Sequence, residues 1–196
     1  CIGLWGPRAR DVLDQATDDD ISNGAFPYLT AKKLTVAGKL AWAQRVSYIG
    51  ELGWELYLAN NDAGAVWNML LELGQAHGVR PAGYKALDSL RLEKGYVYWS
   101  IDVTPEDNLL EAGLGFCADM VKGDFIGRDA LVERKEEGLQ TRLRTVVLEG
   151  NALPAYGAES VWHNGEIVSR LRSAGHAHTI DQSIAYSYLP LNLSKP

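Results

Sequence analysis

The chain opens on CIGLWG, an apolar run read as a buried strand that enters a turn at Gly6. Gly6-Pro7 then signals a helix start. Ala9, Val12, Leu13 and Ala16 fall at i, i+3, i+4 and i+7, one apolar stripe ending at the acidic run Asp18 to Asp20, which reads as a solvated loop. Residues 32–48 change to a period of two. Leu34 and Val36 precede Gly38, and Leu40, Trp42 and Val46 follow it, predicting two strands joined at that glycine. A Gly-rich turn, GELG, leads into a further strand through Glu55 to Leu58. Asp62 is expected to cap a helix running to about Ala76, with the stripe Val66, Met69, Leu70 and Leu73; His77-Gly78 closes it, with His77 as a charge partner for the helix C-terminus.

A second helix is predicted from Pro81 to Gly95, burying Tyr84, Leu87 and Leu90. EAGLGFCADM reads as a strand, and DFIGRDALVERKEEG as a turn followed by a polar helix. From Thr141 the pattern turns to short β-rich runs, with Asn164-Gly165 as a strong hairpin signal between two of them. The order of elements predicts an α+β sheet-and-helix layer over residues 1–138 and a small all-β module over 139–196.

Composition narrows the function classes. Hydrophobic residues make up 46% and charged residues 22% of the 196, as in a globular protein. Nineteen basic against twenty-five acidic residues give a net charge of -6 without a basic block, which argues against a nucleic-acid partner. No apolar run approaches the ~20 residues that cross a bilayer, so no membrane partner is expected. The two cysteines, Cys1 and Cys117, form no CxxC pair and fit a reducing compartment. A chain that starts at Cys1, already inside a strand, is expected to be a fragment.

GxSxG, P-loop, HExxH and GxGxxG signatures are absent. His163 adjoins the Asn-Gly turn and is expected to face solvent. His176 and His178 would share one strand face near Asp181, but without a second ligand cluster no metal site is expected. The unusual stretch is RVSYIGELGWELYL, residues 45–58, where a turn holds two carboxylates between Tyr48 and Trp54. On a strand, Glu55 shares its face with Gly53 and Tyr57, while Trp54 and Leu56 share the other. A carboxylate beside an aromatic face suits a flat heterocycle with two adjacent N–H donors, although an exposed strand Glu and a packing Tyr fit the same pattern.

SYIGELGWELYL, YKALDSLRLEKGY, LEAGLGF and DFIGRDAL, in this order, resemble the folate-binding family that includes the glycine-cleavage T protein, an aminomethyltransferase. GELGWEL, ALDSLRLEKGY and YGAESVWHNGEIV followed by SIAYSYL look closer still to the C-terminal region of sarcosine and dimethylglycine dehydrogenases; the similarity runs from about Gly3 to Leu189. The resemblance implies part of a ferredoxin-like folate-binding layer followed by a C-terminal β-barrel module. It implies tetrahydrofolate as the acceptor of a one-carbon unit from an N-methyl or aminomethyl donor, giving 5,10-methylenetetrahydrofolate.

The resemblance carries over residue by residue. Tyr48 matches the family's hairpin tyrosine and Glu55 its pterin-binding glutamate. Glu51 is expected to orient the turn, and Phe116 to lie near the pterin where T proteins often carry Trp. Leu87 stands where T proteins have an arginine, as in the dehydrogenase branch. The family's proton-handling aspartate and the dehydrogenases' FAD-binding domain are both expected upstream of Cys1. No catalytic residue is therefore expected in the chain, and its partners would be folate and an upstream flavin domain of the same polypeptide. The implied location is the bacterial cytoplasm or the mitochondrial matrix.

Overall fold

The structure, a computed structural model, describes residues 1–150 and 155–195, and the chain divides into two compact units, Cys1–Leu87 and Asp88–Pro196. The first unit holds a four-stranded antiparallel sheet in the order β1-β4-β3-β2, formed by β1 (Ile2–Trp5), β2 (Ala31–Val36), β3 (Lys39–Gln44) and β4 (Gly53–Leu58). Strand alternation sends Ile2, Leu4, Leu34, Val36, Ala41, Ala43, Trp54 and Leu56 to one face, where they are buried. Helices α1 (Ala9–Leu13) and α2 (Asn60–Gly74) supply Val12, Leu13, Val66 and Leu70 to the same core.

The expected stripe of α1 is buried at all four of its positions. On β3 the faces are reversed from the expectation. The two-residue turn Ala37-Gly38 pairs Val36 with Lys39 and Leu34 with Ala41, so Ala41 and Ala43 enter the core while Leu40 and Trp42 are 62% and 46% exposed. Both turn residues have positive φ (50° and 71°), the tight hairpin geometry that fixes this register. Val46 lies past the end of β3, in a connection that runs over residues 45–52, longer than a four-residue turn. Asp62 makes no cap: Ala59 occupies that position, and Asp62 pairs with Lys39 at 3.0 Å. His77 ends the short 3-10 turn after α2 and meets Gln15, Nε2 to Nε2, at 2.7 Å.

The second unit carries a four-stranded antiparallel sheet in the order β5-β8-β7-β6, from β5 (Thr141–Leu148), β6 (Ser160–His163), β7 (Glu166–Ala177) and β8 (Gln182–Pro190). Asn164 and Gly165, at φ 51° and 85°, close the β6–β7 hairpin as the sequence predicts. Its core is Leu92, Ala177, Ile184 and Tyr186. The helix α3 (Tyr84–Lys94) spans the division between units, and α4 (Arg128–Glu137) is the expected polar helix.

Two expectations fail in this region. EAGLGFCADM forms no strand; a single 3-10 turn, Gly115–Cys117, stands in its place. Tyr84 is 70% and Leu90 36% exposed, and α3 instead buries Arg91 and Leu92. Arg91 reaches Asp102 at 2.5 Å, Asp88 at 2.7 Å and the Ser173 hydroxyl at 2.6 Å, and Asp102 also accepts the Ser173 backbone N–H at 2.9 Å. A buried guanidinium needs a carboxylate to face, and the position of Asp102 sets the helix rotation that hydrophobic spacing misassigns. Glu111 likewise accepts the N–H groups of Gln140 and Thr141, each at 2.8 Å. Such bonds join residues 88–140 to the β5–β8 sheet, so the compact unit begins some fifty residues before the composition shift near residue 138.

Candidate functional site

The outer face of the first unit's sheet collects what its inner face excludes. Gly3 pairs with Glu55, Trp5 with Gly53, Gln44 with Glu55 and Trp42 with Tyr57, and all point away from the core. Glu55 thus shares its face with Gly53 and Tyr57, opposite the fully buried Trp54 and Leu56. The Tyr57 hydroxyl donates to Glu55 Oε2 at 2.7 Å. That bond, with burial and the carboxylate charge adding to it, holds the Tyr57 phenol above its ordinary pKa. A carboxylate offers about four acceptor positions, so one donated bond restrains it and leaves both oxygens able to accept.

Beside Glu55 the sheet is cut down to glycine. A Cβ at Gly3 would lie 2.5 Å from the Trp5 ring, and one at Gly53 would overlap both the Leu4 carbonyl and the Trp5 ring. The indole therefore lies over two positions without side chains, and its Nε1 donates to the Val46 carbonyl at 3.1 Å. The Gly6 N–H donates to the Leu52 carbonyl at 2.8 Å, so the end of β1 grips both ends of the 45–52 loop. Inside the loop the Ser47 hydroxyl accepts the N–H groups of Ile49 and Glu51 at 3.2 Å each, and Gly50 supplies a positive φ of 77°.

The predicted site residues fall in three settings. Glu55 is on β4, Tyr48 and Glu51 are on the loop that β1 grips, and the Glu51 side chain is exposed. Phe116 belongs to the second unit, in the 3-10 turn Gly115–Cys117, and is 84% exposed; the first unit's face is assembled from its own sheet and loop. Sequence reading places Tyr57 on the right face without assigning it a role, and it omits Trp5 and Gly3 from the site. Their signal lies in the tryptophan between the glycines of GLWG, which becomes legible only once β1 is known to pair with β4.

On the core side, Arg10 and Arg45 flank the Trp54 ring at 5.4 and 5.9 Å and both donate to Asn23 Oδ1. Burial, with the neighbouring Arg10 charge, holds Arg45 below its ordinary pKa. They line a cavity of about 550 Å³ together with Asp14 and Asp20. Each also donates from Nη1 to a carbonyl, Arg10 to Ile21 and Arg45 to Phe26, so the pair clamps the loop between α1 and β2. In the second unit, His176 and His178 stack edge to face at 4.8 Å, and His176 meets Asp181 at 3.2 Å.

Comparison with known proteins gives the face a context. The family model for the GCVT N-terminal domain matches residues 1–122, and that for the glycine cleavage T-protein C-terminal barrel domain matches residues 142–196. Mitochondrial sarcosine dehydrogenase of Homo sapiens is 42% identical over 96% of the chain, which covers 20% of that protein. Mitochondrial dimethylglycine dehydrogenase of Homo sapiens is 38% identical over 99% of the chain, covering 22% of that protein. The crystal structure of the glycine cleavage system aminomethyltransferase T from Bartonella henselae superposes with a TM-score of 0.82 at 25% identity, over 97% of this chain and 51% of that one. The chain thus spans about a fifth of the length of these two dehydrogenases.

Proposed function

Because the chain belongs to the glycine-cleavage T-protein family, we propose that the outer sheet face of its first unit binds the pterin end of tetrahydrofolate. One observation carries the reading: Glu55, the glutamate of the matched hairpin, accepts the Tyr57 hydroxyl on the outer sheet face, beside the Trp5 indole that lies over Gly3 and Gly53. A pterin presents two adjacent N–H donors in its ring plane, and a carboxylate can accept both side by side. Tyr48 adds an aromatic or hydroxyl contact from the loop, and Glu51 shapes that loop.

Tetrahydrofolate supplies the nitrogens that take up a one-carbon unit, and these residues hold and orient it. In the intact protein we assign the donor to the N-methyl amines, as in sarcosine and dimethylglycine, oxidised by an FAD-binding domain elsewhere in the polypeptide. Identity to the two dehydrogenases and Leu87 in place of the T-protein arginine support that branch. Keeping amine oxidation and folate in one protein makes capture effectively intramolecular, ahead of release as formaldehyde. The same reading places the protein in a bacterial cytoplasm or a mitochondrial matrix. Among the described residues no helix is long and apolar enough to cross a membrane.

The test is product partition in the intact protein given sarcosine and tetrahydrofolate. Wild type should yield mainly 5,10-methylenetetrahydrofolate, and Glu55→Gln should shift the share toward formaldehyde by about tenfold, as expected for losing a charged acceptor. A partition unchanged by Glu55→Gln contradicts the reading. A second reading, an aminomethyltransferase acting on an aminomethyl donor, is favoured by the fold likeness to aminomethyltransferase T and predicts no amine oxidation in the same assay.

A further inference from the structure

We propose that Trp5 is a positioning residue for the pterin site: it pins the loop that carries Tyr48 to the sheet beside Glu55, so that the site is ordered before ligand arrives. The inference rests on the pterin reading and concerns residues that no motif of the hairpin contains.

Three observations lead to it. The indole Nε1 donates to the Val46 carbonyl at 3.1 Å, a bond between residues 41 apart in sequence and two residues from Tyr48. The ring is seated by the absence of side chains beneath it. Its six-membered portion covers Gly3, where a Cβ would come within 2.5 to 2.8 Å of three ring atoms, and its Cδ1 edge covers Gly53. Gly3 is the direct cross-strand partner of Glu55, so the seat of the ring and the seat of the carboxylate are neighbouring positions on the same face. The following residue, Gly6, holds the far end of the loop through the Leu52 carbonyl at 2.8 Å, and at the near end the Arg45 N–H donates to the Thr30 carbonyl at 2.9 Å while Trp5 holds the next residue, Val46.

An eight-residue connection left loose would have to be ordered when ligand binds, and that ordering subtracts from affinity. Ser47 orders the loop internally, but its two bonds run to Ile49 and Glu51 and tie it to nothing on the sheet. The Trp5 bond does. A phenyl ring in the same seat would keep the packing and lose the tie, since only the indole has a donor at that point. A methyl group at Gly3 would lift the ring out of its seat and lose the tie by another route.

The test is a double-mutant cycle in the intact protein, read by calorimetric titration with 5-formyltetrahydrofolate, with melting curves to verify that each variant is folded. Trp5→Phe should weaken binding by about tenfold in the wild-type background, the effect of one hydrogen bond and the loop order it maintains. In a Tyr48→Ala background the same change should cost less than about threefold, because the group it positions is gone. Gly3→Ala should show the same pattern and serves if Trp5→Phe does not fold. Equal costs in both backgrounds, or no cost in either, overturn the positioning role, and the pterin reading then still stands if Glu55→Gln abolishes binding. Absence of binding by the wild-type protein overturns the pterin reading and this inference with it.

Discussion

At the scale of single residues, the proposed pterin contact at Glu55 turns on its pairing with Tyr57. The two are neighbours on one strand face, and the 2.7 Å bond costs Glu55 one of its acceptor positions in exchange for orientation. Tyr57→Phe removes that bond and nothing else, so affinity for 5-formyltetrahydrofolate should fall by about three- to tenfold while the melting temperature stays within about 2 °C. The pH dependence follows from the sign of the shift. The phenol's pKa is raised in the folded protein by the bond to Glu55, so the protonated, donating form is favoured; the orientation is complete below the ordinary value of 10.0 and is lost only as pH rises through the raised one. The contribution of Tyr57 to affinity should therefore be flat through neutral pH and vanish in strong alkali. A Tyr57 contribution that changes with pH across neutrality would contradict this assignment.

At the scale of elements, the sequence reads well wherever a local pattern meets a local rule. The α1 stripe, the Gly38 and Asn164-Gly165 turns and the two faces of β4 all follow from spacing and turn chemistry. It reads poorly where a distant partner decides. Leu40 and Trp42 look like core residues, but the register set by Ala37-Gly38 gives the core to Ala41 and Ala43. The outward Trp42 then borders Tyr57, adding aromatic surface to the site. On α3 the hydrophobic period points to Tyr84 and Leu90, yet Asp102 and Ser173 draw Arg91 inward.

That buried pair makes its own prediction. Asp102→Ala leaves the Arg91 guanidinium without its buried partner and should destabilise the second unit by about 3–5 kcal/mol. Replacing both, as Arg91→Met with Asp102→Leu, should cost much less, because no unpaired charge remains. Urea unfolding followed at the β5–β8 sheet would decide it, and a double variant as unstable as Asp102→Ala would count against the account.

At the scale of the whole molecule, the two matched family domains account for nearly all of the chain, and the resemblance carried by four short motifs in register is confirmed by identities near 40% to two dehydrogenases. The family was legible because its motifs lie at the hairpin, at α3 and in the segment before α4, where chain order alone constrains them. The scaffold around Glu55 was less legible. Gly3, Trp5 and Glu55 come together only through the pairing of the first strand with the fourth, across about fifty residues of chain. A single carboxylate on that face is the centre of the account, and calorimetric titration of the intact protein with 5-formyltetrahydrofolate, beside its Glu55→Gln variant, tests it most directly. The account predicts saturable binding by the wild type and at least a tenfold loss in the variant, on the order of one charge-assisted hydrogen-bonded pair. Equal affinity in the two proteins would contradict it.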